Sequence, residues 1–286
     1  MSRLPFTKMT GTGNDFIVVD ARRPAVNGLK GRWPSASRAL CDRHTGIGAD
    51  GLLVLERSPR ADVRMRVFNP DGSEAAMCGN GARCIARYLG TAVTIDTRAG
   101  VLSARVRGDR VAMRMTDPRG LRLGQSLRVG GRRIAFGFVD TGVPHVVVPV
   151  PSVDRLDVRH LGQALRRHRA FAPRGANIDF IQRVTGRPNR LRIRTYERGV
   201  EDETLACGTG IAAAAVVHGA ARRIAGGRAS ANGRGRPCCV EVQARSGDVL
   251  TVSFLILPGP RITELVLEGG ARRVFDGVLE LSKGRG

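Results

Sequence analysis

Two stretches of this 286-residue chain present the same arrangement, and that duplication limits its fold more than anything else in the sequence. SEAAMCGNGARCIAR (73–87) and ETLACGTGIAAAAVV (203–217) each set Cys-Gly-x-Gly directly before a helix-forming run. At an offset of 129 residues, Cys78-Gly79-Asn80-Gly81 lies on Cys207-Gly208-Thr209-Gly210 and Glu74 on Glu203. The same offset places Thr12-Gly13 on Thr141-Gly142, Ile17-Val18-Val19 on Val146-Val147-Val148, Gly46 on Gly175 and Asp50 on Asp179. With one residue of slip, VRMRVFN (63–69) lies on LRIRTYE (191–197). An ordered set of matches at nearly one spacing means two copies of one fold rather than a solenoid of 20–50-residue repeats. Each copy reads as strand, turn, strands, then helix. Alternating stretches at 63–68, 101–106, 110–115, 191–196 and 248–257 suit half-buried strands, and 80–89 and 209–223 suit helices opening just after the Cys-Gly. Pro258-Gly259-Pro260 and Gly269-Gly270 mark breaks, and the basic, glycine-rich 226–237 reads as an exposed loop.

The length allows two domains of roughly 100–200 residues. The opening MSRLPFTKMTGTGNDF lacks the apolar core of a signal peptide, and the longest apolar run, near Ile211–Val217, is far short of the ~20 residues a membrane span needs. A cytoplasmic protein without membrane association is the expectation. Six cysteines, none in a Cys-x2-Cys pair, read neither as a disulfide framework nor as a zinc site, so no metal is expected. The formal charge of +22 raises nucleic-acid binding. Yet only Lys8, Lys30 and Lys283 are lysines, the arginines are scattered through every segment, and aromatics reach only 4%. Such an excess resembles coding bias more than a binding patch, so no nucleic-acid partner is expected; salt-sensitive duplex or RNA affinity would mark the alternative.

The first turn of a helix leaves N–H groups unpaired and carries about half a positive charge, which favours an anion and a thiolate. Two similar halves facing each other would bring both helix mouths to one cleft. A carboxylate between Gly79–Asn80 and Gly208–Thr209 would then sit between two thiols. One thiolate could take the α-proton on one face while the opposite thiol returned one on the other, which is racemase or epimerase chemistry. No cofactor is expected, since pyridoxal needs a Schiff-base lysine and none of the three lysines sits near these motifs. A buried structural role is the ordinary state of a single cysteine. The paired placement argues against it for Cys78 and Cys207, whereas Cys41, Cys84, Cys238 and Cys239 have no such pairing.

At these residues the chain resembles the diaminopimelate epimerase family. The resemblance rests on TGTGNDFIVVD (10–20), DRHTGIGADGLL (42–53), FNPDGSEAAMCGNGARC (68–84), GVPH (142–145), ANIDF (176–180), YERGVEDETLACGTG (196–210) and VFDGVLEL (274–281). It implies an α/β (α+β) fold of two pseudo-symmetric domains, each a barrel-like sheet around a central helix. The expected boundaries are 1–120 plus 271–286, carrying Cys78, and 121–270, carrying Cys207. It also implies conversion of LL-2,6-diaminopimelate to the meso isomer for lysine and peptidoglycan, with Cys78 and Cys207 as the acid/base pair. Asn14, Asn69 and Asn177 match substrate-binding asparagines. Glu197 and Arg198 match a pair reading the amine and carboxylate of the non-reacting end, and Gly79, Asn80, Gly208 and Thr209 match the α-carboxylate cradle. His145 and Glu197 match groups that assist Cys78 and Cys207 respectively. A homodimer fits such an enzyme, although the sequence does not fix the oligomeric state. The chain departs from the family at Gly142-Val143-Pro144-His145, where many members carry asparagine in place of Val143. A same-fold racemase for another amino acid, such as histidine, is the nearest alternative, and Arg198 with Asn69 and Asn177 favours a second zwitterionic end over an imidazole.

Overall fold

The computed structural model describes residues 2–29, 31–225, 235–259 and 261–281. The chain divides into two compact units, Met1–Met113 with Gly269–Gly286, and Arg114–Glu268.

In the first unit the chain runs β1 (Ser2–Gly11), β2 (Asn14–Asp20), α1 (Trp33–Cys41), β3 (Gly51–Glu56), β4 (Val63–Phe68), β5 (Glu74–Ala75), α2 (Gly79–Leu89), β6 (Val93–Thr97), β7 (Gly100–Arg107) and β8 (Arg110–Arg114). β2 lies antiparallel to β1 and parallel to β3, with Phe16 opposite Gly51; β3 and β4 are antiparallel, β4 and β6 parallel, β6 and β7 antiparallel. A parallel step needs a crossover, and α1 supplies it between β2 and β3. The run Leu52-Leu53-Val54-Leu55 is wholly apolar because both sheet faces are covered. Leu53 and Leu55 pack in the core that holds Ala82, Ile85 and Ala86 of α2, while Leu52 and Val54 pack with Trp33 and Leu40 of α1. Each such fully buried side chain is worth roughly 1.5–3 kcal/mol.

The second unit repeats this plan with β9 (Arg119–Val129), β10 (Arg132–Asp140), β11 (Pro144–Pro149), α3 (Val158–Arg166), β12 (Asn177–Val184), β13 (Arg187–Glu197), β14 (Asp202–Thr204), α4 (Gly208–Ala225), β15 (Arg236–Gln243), β16 (Val249–Ile256) and β17 (Ile262–Gly270). β11 is antiparallel to β10 and parallel to β12; β12–β13 is antiparallel, β13–β15 parallel and β15–β16 antiparallel. The repeated glycines now have a cause. A Cβ on Gly46 would come 2.8 Å from the Leu40 carbonyl oxygen, and one on Gly175 2.7 Å from the Arg166 carbonyl oxygen, so each packs against the end of its crossover helix. Helix α4 is apolar on every side, with Ile211 to Val217 all buried, as a helix enclosed by its sheet must be. The sheet approaches it closely at Gly137, where a Cβ would lie 2.5 Å from Val217 Cγ1.

The last strand, β18 (Arg272–Leu281), belongs to the first unit and lies antiparallel to β1 from Ser2 opposite Leu281 to Thr10 opposite Arg272. It stands where β9 stands beside β10. The fold is thus α+β, with few helices among many strands. Gly269-Gly270, expected as a break, instead closes β17. Of the expected loop 226–237, residues 226–234 lie outside the described residues, and Arg236 and Pro237 open β15. Among the described residues no helix is long and apolar enough to cross a membrane.

Candidate active site

In the first unit Cys78 is the N-cap of α2. Its backbone is extended (φ −139°, ψ 117°), its carbonyl accepts from Ala82 N–H at 2.9 Å, and its Sγ accepts from Gly81 N–H at 3.4 Å. Gly90, in the left-handed conformation at φ 77°, ends the helix by donating to the Ala86 carbonyl. β5, just before the cysteine, is fixed by Arg66, whose Nε and Nη2 fork on to Glu74 at 2.8 and 2.9 Å. A Cβ at Gly79 would meet nothing within 4 Å, so the first helical residue borders open space, whereas Gly81 packs against Leu53. Behind the mouth runs a polar chain. Arg83, fully buried, donates from Nη2 to Asn80 Oδ1 (2.7 Å) and Thr12 Oγ1 (2.6 Å). Asn80 Nδ2 donates to Asn14 Oδ1 (2.6 Å), and Asn14 Nδ2 to Asp50 Oδ2 (3.0 Å). Asn69 lies exposed in the turn after β4, its Nδ2 donating to Ser73 Oγ at 2.9 Å. Cys84, one turn into α2, is fully buried, and desolvation pushes its thiol up to about 12, so it is inert.

In the second unit Cys207 holds the matching position, its carbonyl accepting from Ile211 N–H at 2.9 Å. β14 is fixed by the same fork, Arg194 on Glu203 at 2.6 and 2.7 Å. Around the thiol the two units differ. Cys207 is only 8% exposed, with Sγ 3.4 Å from Thr209 Oγ1. Burial, then the negative charges of Glu197 and Asp179, push this thiol far above the usual cysteine range. The helix field expected to favour a thiolate is outweighed here by desolvation and two carboxylates. Burial also raises Glu197, with Asp179 adding to the effect. A Cβ at Gly210 would run into the Asp179 carboxylate, so glycine is required there.

His145 is completely buried: its Nδ1 lies 2.7 Å from Asp179 Oδ2, and Asn177 Nδ2 is 3.4 Å from its Nε2. With Nδ1–H donating to the carboxylate, Nε2 is the acceptor for the Asn177 amide. Thr195 Oγ1 donates to the other Asp179 oxygen at 2.8 Å. Asn177 Oδ1 in turn accepts Arg198 N–H at 2.7 Å. The Arg198 guanidinium, half-buried, makes no ion pair among the described residues. Gly208 has one near neighbour for a Cβ, Leu267 Cδ2 at 3.4 Å.

Of the residues the sequence singled out, the first unit gathers Asn14, Cys78, Gly79 and Asn80 at the α2 mouth, with Asn69 on the adjoining turn. The second gathers His145, Asn177, Glu197, Arg198, Cys207, Gly208 and Thr209 around the start of α4. Sequence reasoning passed over Arg83, Asp50 and Asp179. The two aspartates had already appeared as a repeat match, which was the available signal. Arg83 carries no mark that separates it from other arginines, beyond its i+3 spacing from Asn80.

The fold and two cysteine-led helices place the chain in a known structural class. A Bacillus anthracis phenazine biosynthesis protein of the PhzF family superposes with a TM-score of 0.68 at 19% identity, covering 98% of this chain and 100% of that one. A probable proline racemase from Agrobacterium radiobacter superposes with a TM-score of 0.66 at 17% identity, covering 98% and 93%. This chain therefore has the fold shared by proline racemases and PhzF-type proteins. The sequence profile of diaminopimelate epimerase matches residues 6–120 and 137–250, and the Aquifex aeolicus diaminopimelate epimerase is 40% identical across 96% of this chain and 98% of that protein. The chain belongs to the diaminopimelate epimerase family and so to the isomerases.

Proposed function

We propose that this protein converts LL-2,6-diaminopimelate to the meso isomer by moving one α-proton between two cysteines, without a cofactor, as a step in making lysine and cell-wall peptide. The supporting observation is a pair of equivalent cysteines at the mouths of α2 and α4, with the Cys207 thiol raised by burial and by neighbouring carboxylates. Cys207, raised in this way, is the acid of the scheme, and Cys78 is assigned the part of the base. Cys78 takes the α-proton, and the carbanion's charge spreads on to a carboxylate held by first-turn N–H groups of Gly79, Asn80, Gly208 and Thr209. Cys207 delivers its proton to the opposite face, so the product has one inverted carbon and the protons have exchanged owners. To reset the pair, Cys78 gives up the substrate-derived proton to solvent, and Glu197, with its raised carboxyl beside Cys207, passes a proton from solvent to that sulfur. Arg198 meets the distal carboxylate, while Asn14, Asn69 and Asn177 hold the amines and carboxylates in register. His145, between Asp179 and Asn177, holds the Asn177 amide.

Proton exchange tests the scheme. Incubated in deuterated water with LL-diaminopimelate and nothing else, the enzyme should place one deuteron on the inverted carbon. Cys78→Ala and Cys207→Ala should each abolish epimerisation while circular dichroism is unchanged; turnover in either variant would rule out two bases. The enzyme is cytoplasmic in this account and works as a homodimer. Val274, Phe275 and Val278 of β18 are each about half exposed and leave apolar surface on this strand that a second copy could cover, and sedimentation at micromolar concentration reads the outcome.

A further inference from the structure

The polar chain behind the α2 mouth has a direction dictated by its ends. A guanidinium only donates, so Arg83 Nη2, 2.7 Å from the Asn80 side chain, must face its oxygen. That commits Asn80 Nδ2 to Asn14, 2.6 Å away, and so selects Asn14 Oδ1 as the acceptor. Asn14 Nδ2 is left facing Asp50, whose carboxylate only accepts and is held by Arg43 Nη2 at 2.7 Å and Asp15 N–H at 3.1 Å. Turning either amide alone sets N–H against N–H or oxygen against oxygen. Turning both sets an amide NH2 against Arg83 and a carbonyl oxygen against Asp50.

We infer that Arg83, acting with Asp50, is a positioning residue that fixes both amides so that Asn14 and Asn80 each retain an N–H for an anionic ligand at the α2 mouth. This rests on the reading of those asparagines as substrate contacts. After the bonds within the chain, Asn80 keeps one Nδ2–H besides its first-turn backbone N–H, and Asn14 keeps one Nδ2–H. All are donors suited to a carboxylate. Thr12 supports the assignment independently: its backbone is left-handed at φ 52°, a costly state for a β-branched residue, and Arg83 holds its hydroxyl at 2.6 Å. Arg83 thereby also anchors the turn from which Asn14 emerges. The equivalent positions of the second unit cannot build such a chain, because the offset of 129 puts Ala212, Val143 and Thr209 where Arg83, Asn14 and Asn80 stand. Its Thr141 hydroxyl is bonded to the Thr209 carbonyl instead.

Side-chain amide 15N–1H spectra of the ligand-free protein, together with a double-mutant cycle, test the inference. Arg83→Gln and Asp50→Asn each replace a one-way end by an amide that can donate or accept, but the other end still sets the direction. Each single variant should keep one set of Asn14 and Asn80 amide signals and lose about two- to fivefold in kcat/KM. The double variant should show two sets and lose about tenfold more than the product of the singles, with melting temperatures still additive. Arg83→Lys, again donor-only, should restore a single set in the Asp50→Asn background. Two sets of signals in the wild type, or an unsplit double variant with an additive cycle, would overturn the inference. Split signals with an additive kcat/KM cycle would uphold the amide direction and refute the role of these asparagines in substrate binding.

Discussion

Alkaline pH should destabilise the protein through Cys84, a thiol outside the proposed chemistry. Burial raises it to about 12 in the folded state, against about 8.5 in the unfolded chain. A group raised on folding contributes stability below its unfolded pKa and loses it as pH rises towards the folded one. At pH 10 the unfolded thiol is ionised and the folded one is not, which costs about 1.5 pH units, or about 2 kcal/mol. Cys84→Ala cannot ionise. It should be about 1 kcal/mol less stable than wild type at pH 7, from lost packing, and about 1 kcal/mol more stable at pH 10. Urea unfolding in reductant at pH 7, 8.5 and 10 measures the gap. A gap independent of pH would refute the account. Cys207, raised by burial and by Glu197 and Asp179, should behave with the same sign. If Cys207 were instead the resting thiolate, the gap for Cys207→Ala would not narrow.

Two glycines at the helix mouths should respond differently. Gly210→Ala drives a methyl against Asp179 and should cost about 1–3 kcal/mol in unfolding experiments, whereas Gly79→Ala meets open space and should leave stability within about 0.5 kcal/mol while lowering kcat/KM tenfold or more. Equal melting losses in the two would contradict these placements. At the substrate's far end, Arg198→Met should lose about 30-fold or more in kcat/KM, consistent with roughly 2–5 kcal/mol for stranding a charge partner, and Arg198→Lys should fall between. Lysine, lacking a distal carboxylate, should not be racemised; efficient turnover of lysine would remove Arg198 from that role.

The duplication was legible because both copies need the same residues for the same local reasons. Glu74 and Glu203 are matched at the offset since each receives an arginine fork that fixes the short strand before a cysteine. Gly46 and Gly175 match because each touches the end of a crossover helix. The helices at 80–89 and 209–223 were found within two residues of their ends, their starts marked by Cys-Gly-x-Gly. What escaped depends on contacts far apart in sequence. The crossover helix α3, Val158–Arg166, buries only Val158, Gly162 and Leu165, so its pattern is mostly polar. The raised pKa of Cys207 arises from burial and then from the carboxylates at 197 and 179, and no helix-end argument from the motif could include them. Arg83 is one arginine among many, and only the fold shows it buried.

The pairing of β18 with β1 joins two strands that flank the whole of the second unit in the chain. A ribosome makes β1 before the second unit and β18 after it, so the outer edge of β1 has no β18 to meet until the whole second unit has been synthesised. Every strand from β9 to β16 lies within one continuous stretch of the second unit, and Met115 N–H bonds the Leu265 carbonyl, tying the ends of that stretch together. The later-made unit can therefore finish first, while the earlier-made one waits. A nascent strand with an open edge is prone to pair with a neighbour's. Crowded polysomes favour such mispairing, and a chain stopped before β18 would leave the first unit, rather than the second, unclosed.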